Sequence, residues 1–140
     1  MDEQIKIWQR VRSDGGAITD GLPGLASGAL SRAALYNALA RQMQGPGRGI
    51  FLSMQEEEQQ CARYLQGIYR LITGTKMQLS SLPPSAEKLE PALRKCYGQS
   101  LKALMAFEQR IGHQEYGPVF ALLATKMREN CCKIAGLLGL

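Results

Sequence analysis

Glycine and proline punctuate this chain at intervals that leave room for helices and little else. Between the breakers helix formers dominate, and the alternation of Val, Ile and Thr that marks a strand is almost absent. Five segments result: 2–13, 23–44, 49–73, 86–111 and 115–138. The first carries Ile5, Trp8 and Val11 at a spacing of three and stops at Ser13-Asp14-Gly15-Gly16, so it reads as a short amphipathic helix with Trp8 as its packing anchor. Gly45-Pro46-Gly47 separates the next two, and Pro118 suits the first turn of the last. The stretch Ser80-Ser81-Leu82-Pro83-Pro84-Ser85 makes a longer middle link. Four long helices with two tight connections and one long one predict an all-α fold, an antiparallel four-helix bundle of two hairpins. Segment 2–13 is then an extra helix outside it.

At 140 residues and 45% hydrophobic, the chain has the size and apolar content of a single domain spanning 1–140. That composition excludes a disordered tail, and four cysteines are too few for a disulfide scaffold. No apolar run approaches the roughly 20 residues of a membrane helix. The N-terminus shows no signal-peptide pattern, which points to the cytosol and reduced thiols. The net charge of +5 comes from cations scattered singly, with Arg94-Lys95 as the densest cluster. This predicts a solvated helical surface rather than a nucleic-acid interface.

Phasing each helix by spacings of three and four gives its inward seam. The second long helix offers Phe51, Met54, Glu58, Cys61, Leu65, Ile68 and Ile72, so Glu58 falls inside while Glu56 and Glu57 read as surface. A carboxylate there needs a partner or a proton. The first helix gives Leu22, Leu25, Ala29, Arg32 or Ala33, Tyr36, Leu39 and Met43. The third gives Leu93, Tyr97, Ser100, Leu104, Phe107 and Ile111, and the fourth Phe120, Leu123, Met127, Cys131, Ile134 and Leu138. The expected mid-height layer is therefore Ala29, Glu58, Cys61, Ser100 and Cys131, with Arg128 one turn from Cys131.

The run Glu56-Glu57-Glu58-Gln59-Gln60-Cys61-Ala62-Arg63-Tyr64-Leu65 resembles the second helix of ferritin-like, rubrerythrin-type proteins, where a Glu precedes a His by three. Tyr116-Gly117-Pro118-Val119-Phe120, leading to Glu129-Asn130-Cys131-Cys132, looks like the matching fourth helix. Leu35-Tyr36-Asn37-Ala38-Leu39-Ala40 resembles the first, in which a Tyr follows a metal-binding Glu by seven. The resemblance covers about residues 20–138. It implies two irons held by one Glu from each of two helices and a Glu-x-x-His from each of the others. Most of those ligands are missing. The first-helix Glu falls on Ala29 and the third-helix Glu on Ser100. The second-helix pair becomes Glu58 and Cys61. The fourth-helix pair becomes Arg128 and Cys131, or Glu129 and Cys132, depending on register, and the seam favours the former.

One carboxylate and two thiols cannot bridge and neutralise two irons. Thiolates favour zinc or Cu(I), so Glu58, Cys61 and Cys131, with water or Cys132 as a fourth ligand, are the metal site if any metal binds. The preferred expectation is no cofactor and a vestigial layer in which Arg128 turns inward and pairs with Glu58. The cysteines then act as small buried apolar side chains. A Cys61–Cys131 dithiol is the sharper alternative, which lacks a Cys-x-x-Cys motif. His113, the only histidine, reads as a charge partner at a helix C-terminus. With no apposed nucleophile it argues against triad hydrolysis, and neither glycine cluster makes a phosphate cradle. Two functions follow: a non-catalytic module for association, as a homodimer or with a protein partner, its apolar run Ile134–Leu140 adding docking surface; or the metal-dependent oxidoreductase or metal-storage protein that the resemblance implies.

Overall fold

The computed structural model describes residues 18–80 and 88–139. The expected helix at 2–13 and its Trp8 lie outside them. Four helices are present and, among the described residues, no strand: α1 (Leu22–Arg41), α2 (Pro46–Thr73), α3 (Leu89–Glu108) and α4 (Gly117–Leu137). Each begins with a proline in its first turn (Pro23, Pro46, Pro91 and Pro118), where the missing N–H is not needed. α2 ends at Gly74, whose φ of 73° is the left-handed conformation that glycine adopts without penalty, and its N–H returns to the Arg70 carbonyl at 2.9 Å. The segments anticipated from the breakers match these helices to within about three residues at each end.

α1 packs chiefly on α2 and α3 on α4; the two pairs meet through α2 with α4 and α1 with α3. Across the first pair Arg32 meets Glu58, Asn37 donates to Gln55 at 3.1 Å, and Tyr36 stacks on Phe51 with ring centroids 6.3 Å apart. Arg110, just past α3, donates to the carbonyls of Ile18, Asp20 and Ala106, which pins the entry to α1 against the exit from α3. After α2 the chain buries Met77 and hooks the Ser80 N–H onto the Ser27 hydroxyl at 3.1 Å.

The core divides into two apolar clusters. One holds Leu22, Ala26 and Ala29 of α1, Cys61, Leu65 and Ile68 of α2, Ala103 and Phe107 of α3, and Phe120, Leu123 and Met127 of α4. The other holds Tyr36 and Leu39, Phe51 and Met54, Leu93 and Cys96, and Ile134. Thus α1 and α4 run from the first cluster to the second, whereas α2 and α3 both run from the second to the first. The α2–α3 link starts at the first cluster and must reach the second.

Several seam positions differ from the sequence reading. Cys96 and Ala103 are buried in place of the partly buried Tyr97 and Leu104, and Ile111 is exposed beyond the end of α3. Leu25, Met43 and Ile72 are only partly buried, Ala26 and Ala40 taking the inward places on α1. Ile134 lies in the core and Leu137 and Leu138 pack against it, so most of the terminal run is not free docking surface.

Tight packing concentrates at the α3–α4 turn. A Cβ on Gly117 would collide with the Ile111 carbonyl, whereas one on Gly98, inside α3, would meet nothing. Gly117→Ala is therefore expected to lower stability by about 1–3 kcal/mol, and Gly98→Ala to raise it by up to about 1 kcal/mol. Urea denaturation followed by circular dichroism reads both.

Candidate functional site

Between the two clusters each helix contributes one buried polar side chain: Arg32 from α1, Glu58 from α2, Ser100 from α3 and Asn130 from α4. Every one falls between the last residue its helix gives to one cluster and the first it gives to the other. Together they form a polar layer across the interior.

The layer is organised by one ion pair. Arg32 donates through Nε to Glu58 Oε1 at 2.8 Å and through Nη2 to Oε2 at 3.0 Å, with the side chains 5% and 0% exposed. This two-pronged geometry occupies both carboxylate oxygens and matches the planar guanidinium fork. Burial pushes the Glu58 carboxyl above its ordinary value while Arg32 pulls it back. Burial likewise opposes the charge on Arg32, but Glu58 more than offsets this and holds the guanidinium above its usual range. Desolvating either charge alone costs several kcal/mol, so neither tolerates the loss of the other. Gly28, one turn before Arg32, makes room: a Cβ there would stand 3.3 Å from Nη1.

The expected partner of Glu58 was Arg128, and here the structure corrects the sequence. Arg128 is largely exposed and donates to Glu108 at 3.0 Å on the surface, because Met127, Asn130, Cys131 and Ile134 fill the inward face of α4. Its partner role passes to Arg32, one of the two seam candidates on the first helix. Ala29 is buried, but it belongs to the first apolar cluster, as does Cys61. Ser100 sits in the layer as expected, and Cys131 is buried beside it at 6% exposure. Glu57 is not plain surface: its Oε1 lies 3.7 Å from Lys133 Nζ and its other oxygen is buried. His113 is not a C-terminal charge partner. Its Nδ1 accepts the N–H groups of Glu115 and Tyr116 at 3.2 and 3.1 Å, shaping the entry to α4.

Asn130 and Cys96 are the buried members that sequence reasoning missed, whereas Tyr36 lies on the seam as expected. Asn130 lies three residues after Met127 and four before Ile134, so period alone could have found it; its polarity, beside Cys131 on the same face, hid it. The Tyr36 hydroxyl interacts with the Cys96 thiol, and burial together with Cys96 raises the phenol well above its ordinary value.

All four cysteines are free thiols, three of them buried and Cys132 exposed. Burial, with Glu58 adding, pushes the Cys61 thiol up to about 12, and burial pushes Cys96 up to about 11 and raises Cys131. At neutral pH these are protonated thiols and poor nucleophiles. Among the described residues no three His, Cys, Asp or Glu side chains gather as a metal site would require. The donors thus fit a di-iron centre badly: the one buried carboxylate has both oxygens committed, and a guanidinium already supplies the positive charge. No protein family, no curated protein and no solved structure matches this chain.

Three outcomes follow. Glu58→Leu or Arg32→Met alone should each cost about 3–5 kcal/mol, and the double variant should recover most of that loss, as thermal melts in a double-mutant cycle would measure. In the folded protein a thiol reagent at pH 8 should label Cys132 rapidly and Cys61 and Cys96 slowly, with all four labelled after denaturation. Because the folded thiols bind their protons more tightly than the unfolded ones, stability should also fall as pH rises above about 9.

Proposed function

We propose that this chain is a ferritin-like antiparallel four-helix bundle whose central cation is replaced by an arginine, and that it acts as a non-catalytic structural or association module. The observation that carries this reading is the buried Arg32–Glu58 fork, built on the one carboxylate that survives from the ligand set the resemblance implies. The helix order supports the fold. Along α1 the contacts advance from 32 to 37 while their partners on α2 fall back from 58 to 55, as in a hairpin. α2 and α3 then run in the same sense, so positions 74–88 must return over a 20-residue helix, about 30 Å. Extended chain of that length reaches about 50 Å, which suffices. One long crossover of this kind distinguishes ferritin-like bundles from simple up-and-down ones.

Association rests on surface composition. Leu71 is 74% and Met105 60% exposed, and a groove of ≈560 Å³ is lined by Tyr64, Leu71, Tyr116 and Val119 with Gln60 and Arg63 at its polar side. Such apolar exposure favours a second copy or a protein partner. Among the described residues no helix is long and apolar enough to cross a membrane, and four free thiols suit the cytosol.

Elemental analysis of natively purified, air-exposed protein, paired with its mass in solution, tests the proposal. The expected result is no stoichiometric iron or zinc and a mass above that of the monomer. Stoichiometric iron with an oxo-bridge absorption would favour the metal-dependent oxidoreductase or storage protein instead, and a metal-free strict monomer would remove the association role.

A further inference from the structure

The ion pair leaves other polar groups in the layer unaccounted for. The hydroxyls of Tyr36 and Ser100 and both amide atoms of Asn130 are buried, and among the described residues none meets a hydrogen-bond partner of adequate geometry. All three side chains are 0% exposed, and they come from three different helices. Ser100 and Asn130 lie in the layer itself; Tyr36 borders it and feels both Arg32 and Glu58. The nearby Cys96 thiol is too weak a partner to satisfy the phenol.

Each such group left without a bond forfeits a large fraction of what stabilises a domain of this size. The chemistry of the surroundings selects what could satisfy them. A cation would face Arg32 and an anion would face Glu58, whose charges already cancel. The ligand must be neutral. It must both donate and accept, because the Asn130 amide presents two donors and an acceptor while each hydroxyl presents one donor and acceptor lone pairs. It must also be small, since apolar clusters close the layer above and below.

We infer that Tyr36, Ser100 and Asn130 form an internal hydration site that binds one or two water molecules as a structural part of the core. Water typically makes about three hydrogen bonds when buried, and proteins carry on the order of one such molecule per 27 residues. Here it bridges α1, α3 and α4 beside the α1–α2 ion pair, so that all four helices join one polar network.

The test uses the full chain. In solution, water-selective NMR on the isotope-labelled protein should show cross-relaxation between long-lived water and the Asn130 side-chain amide. A crystal structure at high resolution should show spherical density within 2.7–3.2 Å of Asn130 and of Ser100 or Tyr36. Loss in Asn130→Leu of the water cross-peaks to the neighbouring Ser100 and Tyr36 protons, with the other core resonances retained, would support the assignment. Amide protons of Asn130 without water contact, bonded directly to another protein group, would overturn it. Failure here would leave the Arg32–Glu58 reading untouched, because metal content and oligomeric mass do not depend on these waters.

Discussion

Two opposite charges held out of water at mid-height, Arg32 and Glu58, set the terms for everything around them. Each is tolerable only because the other stands at 2.8–3.0 Å in a two-pronged fork. That geometry demands a fixed register between α1 and α2, since sliding either helix by one residue would strand both ions. An apolar pair of similar volume could give equal or greater stability. What the ion pair adds is one permitted alignment, enforced by the cost of every other.

The sequence was most legible where apolar residues fix the phase. Phe51, Met54, Cys61, Leu65 and Ile68 define one stripe of α2 so clearly that Glu58 had to lie within it, as it does. α1 was harder, because leucine and alanine surround the helix on most sides and the period says little about which side faces in. Arg32 and Ala33 could therefore not be separated, and both are buried. The choice of Arg128 failed for a different reason. The resemblance offered two registers and the seam favoured the one through Cys131, but Cys131 is buried while the packing of α4 turns Arg128 to solvent beside Glu108. Asn130 escaped notice because a polar residue on an inward face leaves no hydropathy signal.

The buried thiols are held protonated by one cause. Burial raises the cost of ionising Cys61 and Cys96, and the Glu58 charge raises it further for Cys61. The same burial leaves the thiols protonated and the carboxylate clasped by a guanidinium.

The partition of the interior into two apolar clusters reaches further than the polar seam that causes it. Side chains such as Phe107 and Phe120 touch one compartment, and Phe51 and Leu93 the other. A bulky residue lost or gained at one end has no direct contacts through which to disturb the far end, so changes in the two compartments should combine nearly independently. Drift in amino-acid choice could thus proceed separately in each half, provided the boundary between them holds.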